Sequence, residues 1–568
     1  MTTAQETAEI WRKSSLVDED TKAEIDRLLA NENASELEDC FGQPLAFGTG
    51  GLRGLLGVGT NRMNLYTVQL TTEGWARHLE AHPEDSRSGV VIGYDSRRFS
   101  REFAEAAAEV FAGHGIPTRV FREVAPTPLV SFELLRRKAR AGLVITASHN
   151  PAEYNGYKIY GSNGGQVIPP EDGEIVNEVS RIQRLDEIQR LPYAEGKTKG
   201  LIQDLGNEPD ADYLDTLDAL ALGSVAENRN LGVVYTPFHG TGGRCVPTLL
   251  ERRGFAVQVV TEQIEPDGEF PTLTTPNPEE EQAFELARKT TNSGHDLILS
   301  NDPDADRLGV MVRNGDEWVW LNGNQIGALL LDFMLSRMQQ SGTLPENGVY
   351  VASFVSSPLG KRIAQAYGLQ TRDVLTGFKW IRDAAEQCAT QGQQFIFGME
   401  ESHGFLMGLH CGDKDGVWAA MAFAELCATL KAKNSSPLQQ LENLQQQHGR
   451  QLDRLVSISL PGPEGRARIQ QQLQKLRKEP PRSLGGLVVK SLTDLSNNTC
   501  LDLQTNTTQA GPGLPSSNVL FLQLEQDGRI IVRPSGTEPK IKYYFNLRGD
   551  DAPALNALYE RLVQDIVP

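Results

Sequence analysis

Ser148 lies in the stretch Thr146-Ala147-Ser148-His149-Asn150-Pro151, directly after the apolar run Leu143-Val144-Ile145. The run reads as a buried strand. Asn150-Pro151 is a turn signal that keeps the chain out of a continuing helix. A serine hydroxyl at the exposed end of a strand, beside His149, is placed where a covalent phosphoryl acceptor can sit. The plainer reading is a turn built from ordinary turn formers, so other residues must decide.

Asp302-Pro303-Asp304-Ala305-Asp306-Arg307 supplies a partner, again after an apolar run, Leu297-Ile298-Leu299. Three carboxylates at alternate positions repel one another unless a cation sits between them. Oxygen-only ligands favour a hard divalent ion, Mg²⁺ first. An EF-hand loop is excluded, because its sixth position would be Arg307 rather than Gly and its twelfth Arg313 rather than Glu. A solvated acidic turn is the bland alternative. Near the C-terminus, Arg533-Pro534-Ser535-Gly536-Thr537-Glu538-Pro539-Lys540 brings a guanidinium, an ammonium, two hydroxyls and the amides around Gly536 into eight residues. That combination grips phosphate, and it also makes a turn between the strand-like stretches 529–532 and 541–544.

TASHNP, the DPDADR loop, GMEESHG at 398–404 and RPSGTEPK, preceded by GTGGLRG at 48–54, stand in the order seen in the α-D-phosphohexomutase superfamily, and the chain resembles that family over nearly its whole length. TGFKW at 376–380 and DKDG at 413–416 are similar to the phosphoglucomutase branch, including its phosphopentomutase-like relatives. Bacterial phosphomannomutases carry GEMSGH where this chain has Met399-Glu400-Glu401-Ser402-His403-Gly404, which points away from mannose.

Composition fits a multidomain enzyme. The chain has 568 residues, and single cores stop growing near ~250–300 residues. A polar N-terminus and an apolar run, 326–331, that stops at Asp332 argue against a signal peptide or a membrane span. Six scattered cysteines without a C-x-x-C pair point to a reducing cytoplasm. The formal charge of −19 excludes a nucleic-acid footprint. It leaves room for a local basic cleft, since Arg53, Lys158, Arg307, Lys379, Lys414, Arg533 and Lys540 all fall inside the motifs.

The elements that must position these residues read as alternating strands and helices, hence α/β with parallel or mixed sheets. One helical arm is expected over about 4–31. The segment 195–212 reads as a linker, and the loop His239-Gly240-Thr241-Gly242-Gly243 as a helix opening able to bind an anion. A Gln-rich helix is expected over 439–450 and a C-terminal helix over 552–567. The resemblance implies four domains around a central cleft: 1–212, 213–322, 323–455 and a smaller α+β domain, 456–568.

The resemblance also implies roles. Ser148 would carry the phosphoryl group and, with Asp302, Asp304 and Asp306, hold Mg²⁺. Arg53, His149, Lys158, His403 and Lys414 are the further catalytic candidates. Lys158, His403 and Lys414 compete for the proton: His403 has the pKa best suited to neutral pH, and the two aspartates flanking Lys414 would raise its pKa if close. Arg307, Gly377, Lys379, Glu401, Ser402, His403, Arg533, Ser535, Gly536, Thr537 and Lys540 would bind the sugar phosphate. The implied reaction interconverts glucose 1-phosphate and glucose 6-phosphate, with glucose 1,6-bisphosphate as activator or phosphoryl donor. A glucose 1,6-bisphosphate synthase fed by fructose 1,6-bisphosphate or 1,3-bisphosphoglycerate is the alternative, then a phosphopentomutase or phosphomannomutase. A non-catalytic sugar-phosphate sensor would be expected to lose Ser148 or a carboxylate. A zinc phosphatase needs a histidine cluster that nine scattered histidines do not offer.

Overall fold

The structure, a computed structural model, describes residues 3–30, 34–48, 51–82, 89–460, 462–535 and 540–567. The chain forms two compact units: residues 1–322 with 402–434, and residues 323–401 with 435–568.

Two sheets organise the first unit. In the first, the strand Val90–Tyr94 lies between Thr118–Phe121 and Ala141–Ile145, parallel to both. Val90, Ile92, Leu143 and Ile145 are fully buried in one core with residues of the helices Leu65–Ala81 and Ser100–Gly113. Strands covered by helices read as continuous apolar runs, which is why this core is visible in the sequence. The strand Tyr154–Tyr160 returns antiparallel along Ala141–Ile145 and sets Lys158 opposite Val144. The strand Gly51–Leu55 pairs with it in turn, with Arg53 opposite Gly156. The strand Ile202–Leu205 completes the far edge beside Thr118–Phe121. The stretch read as a linker is therefore part of the sheet. Its edge strand is buried only at its ends, Ile202 and Leu205, with Gln203 and Asp204 more exposed between them, so it lacks an apolar run.

The second sheet repeats the plan. Gly232–Thr236 lies between Ala256–Val259 and Leu297–Ser300, parallel to both, and Gly309–Asn314 returns antiparallel. In the second unit, Gly348–Ser353 lies between parallel Gln370–Val374 and Gln394–Glu400. All three sheets thus order their parallel strands second, first, third. In each, a chemistry-bearing loop leaves the third strand: 146–153, 301–308 and 401–403. Strand order reverses between the first and third strands, and open α/β sheets bind ligands at such reversals, off the carboxyl ends of the strands.

The C-terminal part is α+β. Its antiparallel sheet runs in the order Arg450–Ser459, Lys540–Gly549, Arg529–Pro534, Leu520–Leu524, Leu487–Asp494, Thr499–Asp502, Thr508–Ala510. Leu473 and Leu476 of the helix Gly462–Lys478 and Leu558 and Leu562 of the helix Ala552–Ile566 share its core with Leu522, Ile530 and Phe545. The N-terminal arm is helical as expected, in two helices, Ala4–Lys13 and Glu19–Ala30. Asp18 stops a single helix: its carboxylate accepts from Thr21 N–H and from the Tyr66 hydroxyl. No helix among the described residues is long and apolar enough to cross a membrane.

The helix Gly416–Ala432 returns the chain to the first unit and is buried nearly all round. Glu425 fixes it, fully buried, accepting from Leu222 N–H (2.7 Å), Gly223 N–H (2.8 Å) and Arg253 Nε (3.0 Å). Breaking one side of a buried ion pair strands the other charge. Glu425→Ala should therefore cost about 3–5 kcal/mol, read as a lowered urea midpoint for the first unit.

Candidate active site

Ser148 is only 2% exposed, so the expectation of an exposed strand end does not hold. The residue has φ +53°, a left-handed conformation that a side chain keeps only when its surroundings hold it. Its N–H donates to Thr146 Oγ1 (2.8 Å) and its Oγ donates to Asp302 Oδ2 (2.7 Å). His149 Nδ1 lies 3.3 Å from the same Oγ. Arg53 reaches this loop through Nη1 to Asn150 Oδ1, 2.9 Å.

Asp302, Asp304 and Asp306 have no solvent exposure, which disposes of the solvated-turn reading, and their carboxylate oxygens lie within 4.8 Å of one another. Burial, then repulsion from Asp306 and Asp304, pushes the Asp302 carboxyl well above its ordinary pKa. Burial works the same way on Asp304, but Lys158, Lys414 and the Thr127 hydroxyl outweigh it and hold that carboxyl low. Asp304 Oδ1 and Asp306 Oδ1 are buried without a hydrogen-bond partner. Orphaned oxygens in an all-oxygen donor set fit a hard divalent cation.

The Asp302–Arg307 loop is held from several sides. Thr127 donates to Asp304 twice, from its hydroxyl to Oδ2 and from its N–H to the carbonyl, each at 2.8 Å. Arg307 pairs with Glu279 and keeps Nε 3.7 Å from Asp302 and 3.9 Å from Asp306. Thr241 N–H donates to Pro303 O (2.8 Å), and a Cβ on Gly240 would come within 2.4 Å of Pro303 Cα. The 239–243 loop, expected to be able to bind an anion, thus packs against the backbone of the Asp302–Arg307 loop.

Two lysines neutralise the carboxylates. Lys158 Nζ lies 2.7 Å from Asp304 and 3.2 Å from Asp306, and Lys414 Nζ 2.8 Å from Asp306 and 3.4 Å from Asp413. Burial pulls the Lys158 pKa down, but Asp304 and Asp306 win and hold it above the ordinary lysine value. Only one flanking aspartate, Asp413, stands at Lys414. Asp415 turns away, accepting from Val417 and Trp418 N–H (2.9 Å each) at the helix start and from the Tyr213 hydroxyl (2.8 Å). Asp415, His410 and Cys411 form a second group at metal-ligand spacing, but His410 Nε2 already meets Asp415 (2.7 Å) and Cys411 Sγ donates to Asp413 O.

His403 also departs from expectation. It has φ +66°, lies within hydrogen-bond distance of Leu308 O through Nδ1 (2.9 Å) and stacks on Trp320. Burial lowers its pKa below the usual histidine value, away from the neutral poise expected of it.

Ser402 falls in the first unit, whereas Gly377, Lys379, Glu401, Arg533, Ser535 and Lys540 belong to the second. Gly377, with φ +117°, donates its N–H to Glu400 Oε1 at 2.6 Å. Lys379 is buried with Nζ 5.3 Å above the Trp380 ring. Glu401 Oε2 accepts from Ser353 Oγ (2.8 Å) and Ser356 Oγ (3.4 Å). Arg533 lies opposite Lys542 in the strand pair, and Ser535 N–H donates to Lys540 O (2.8 Å). Gly536 and Thr537 lie outside the described residues.

Thr127, Glu279 and Arg97 were not singled out by sequence reasoning. Each acts on a loop 28 to 177 residues away, and no local pattern marks such contacts.

Family models for phosphoglucomutase/phosphomannomutase match in order: α/β/α domain I over 44–186, domain II over 211–315, domain III over 322–447 and the C-terminal domain over 517–564. The chain belongs to this family. Like the other members of the phosphoglucomutase branch it is a phosphohexomutase, a sugar-phosphate mutase of three α/β domains and a C-terminal domain. It is 36% identical to a phosphoglucomutase of Staphylococcus aureus over 539 residues, 93% of this chain and 95% of that one. A phosphoglucomutase of Staphylococcus epidermidis is 35% identical over 526 residues, 92% and 94% of the two chains. Among solved structures, parafusin, a phosphoglucomutase of Paramecium, superposes with a TM-score of 0.67 at 17% identity, covering 92% of this chain and 95% of that one. A family protein of Burkholderia thailandensis gives the same score and identity, covering 92% and 97%.

The carboxylate cluster of this mutase is a local instability without a cation. Asp302, its pKa raised in the fold, favours folding at low pH and opposes it as pH rises through that raised value. Asp302→Asn should stabilise the metal-free protein at pH 8 by about 1 kcal/mol, read as a higher Tm in EDTA. In MgCl₂ the wild-type Tm should rise and the variant's should not.

Proposed function

We propose that this mutase works through a phosphorylated Ser148 and interconverts glucose 1-phosphate and glucose 6-phosphate through glucose 1,6-bisphosphate. One observation carries the reading: the Ser148 hydroxyl is buried against Asp302 in a carboxylate cluster with two unsatisfied oxygens. The preference for glucose rests on the relatives named phosphoglucomutase.

Asp302, Asp304 and Asp306, with the Ser148 oxygen or its phosphate, would hold Mg²⁺. Such an ion polarises phosphoryl oxygens and offsets the charge gathered in the transition state. The chain's own residues do the rest. Arg307 steadies the phosphoryl oxygens. Glu401 accepts hydrogen bonds from paired sugar hydroxyls, with Gly377, Lys379 and Ser402 beside it in role. Arg533, Ser535, Gly536, Thr537 and Lys540 take the phosphate that is not being transferred.

In the first transfer the bond from phosphorus to Ser148 Oγ breaks and one to the sugar hydroxyl forms. The hydroxyl proton leaves and the serine oxygen gains one. Lys158 is assigned to the serine side, since its ammonium already lies among the groups around Ser148. Lys414 takes the sugar side, and His403, neutral and aimed through Nδ1 at a backbone carbonyl, serves binding. The bisphosphate then turns round and returns its other phosphate to Ser148.

The test is to incubate the protein with glucose 1-phosphate, with and without glucose 1,6-bisphosphate or fructose 1,6-bisphosphate, and to follow both glucose 6-phosphate and the bisphosphate. Catalytic amounts of bisphosphate should suffice. Stoichiometric accumulation of it would instead mark a synthase. Ser148→Ala should abolish transfer while leaving the Tm within a few degrees; retained turnover would sink the phosphoserine mechanism. Asp304→Asn should weaken the Mg²⁺ dependence and lower kcat by about 100-fold or more; an unchanged Mg²⁺ titration would remove the metal from this loop.

A further inference from the structure

We propose that Arg97 is a positioning residue for phosphoryl transfer, an inference that rests on reading Ser148 as the phosphoryl acceptor. Arg97 follows the strand Val90–Tyr94, outside every motif that marks the site. Its side chain is fully buried. One guanidinium satisfies four carbonyls of the serine loop. Nη2 donates to Ser148 O (2.6 Å) and to Asn150 O, and Nη1 donates to Pro151 O (2.7 Å) and Tyr154 O (3.0 Å). These acceptors run from Ser148 to the first residue of the returning strand, and Pro151 O also accepts from Tyr154 N–H (3.1 Å).

The guanidinium is itself held. Asp95 Oδ2 stands 3.3 Å from Nε, and Asp95 Oδ1 accepts from the Arg97 N–H (2.9 Å) and the Ser100 hydroxyl (2.8 Å). Phe270, from the α/β domain that carries the metal loop, covers the cation with its ring 5.0 Å away. Burial pulls the Arg97 pKa down to about 10, which still leaves it charged near neutrality.

Two consequences follow for the reaction. Ser148 sits at φ +53°, a conformation that relaxes unless the loop is pinned, and Arg97 pins it at the Ser148 carbonyl itself. A loop that relaxes moves Oγ away from Asp302, and misplacement of about 1 Å can cost about 100-fold in rate. The cation also lies close enough to interact with Asp302 and Asp304, so it lowers the negative potential into which a phosphoryl group arrives. Lysine keeps the charge but not the positioning, because its ammonium offers three N–H groups where the guanidinium serves four carbonyls.

Arg97→Lys and Arg97→Gln are the test, in the full chain with glucose 1-phosphate and glucose 1,6-bisphosphate. Folding is checked by thermal unfolding. For a folded variant the expected result is a kcat about 100-fold lower, with KM for glucose 1-phosphate within about twofold. Single-turnover phosphorylation of Ser148 by the bisphosphate should slow equally. A folded variant with wild-type kcat overturns the proposal, as does a raised KM with unchanged kcat. If neither variant folds, Phe270→Leu decides by loosening the guanidinium from outside the loop. It should lower kcat about tenfold at unchanged KM, and unchanged kcat overturns the proposal. Ser148→Ala runs beside these variants. Turnover there defeats the phosphoserine reading whatever Arg97 does, whereas an inactive Ser148→Ala with an undisturbed Arg97→Lys defeats the positioning role alone.

Discussion

Three carboxylates are packed within 4.8 Å of one another with no access to water. Such a group cannot persist unless positive charge surrounds it. Lys158 comes from a returning strand of the first sheet, Lys414 from the loop before the helix Gly416–Ala432, and Arg307 from the carboxylate loop itself. Thr127 adds two hydrogen bonds from a helix start in the first domain. Much of the first unit is thus arranged to make one acidic pocket tolerable, with two oxygens left over.

One strand order is repeated in the three α/β sheets. In each, a loop rich in candidate site residues leaves the third parallel strand, at the reversal in strand order. A left-handed residue that is not glycine stands in or just after each loop's turn: Ser148, Ala305 and His403. Their shared conformation shows the same chain reversal solved three times with different side chains. Only the side chains of the loop differ, from the Ser148 hydroxyl to the carboxylates of 302–306 to the His403 imidazole.

The loops and the strands feeding them were legible, because buried parallel strands are written as apolar runs and the loops carry unusual residue types. The threefold order was not legible. It resides in strand pairing, and the three domains share no residue pattern at corresponding positions. Ser148 looked exposed because its neighbours in sequence say where a strand ends, not what covers it; Asp302, 154 residues later, supplies the cover. Asp415 looked like a second charge beside Lys414, yet its backbone position makes it the cap of a helix. The edge strand Ile202–Leu205 was read as a linker because a half-covered edge needs few apolar residues.

The first unit is not contiguous in the chain: residues 402–434 complete it after 323–401 have entered the second. Domains fold as they emerge during synthesis, N-terminal first. The ribosome therefore releases the Ser148 loop and the Asp302–Arg307 loop well before it releases Lys414. Until then Asp306 lacks one of its two ammonium partners, and the faces of the helices Val225–Asn228 and Gly242–Arg252 that meet Gly416–Ala432 stay bare. A nascent chain of this protein passes through a long interval in which the 301–308 loop lacks both the ammonium of Lys414 and its backbone hydrogen bonds with His403 and Gly416.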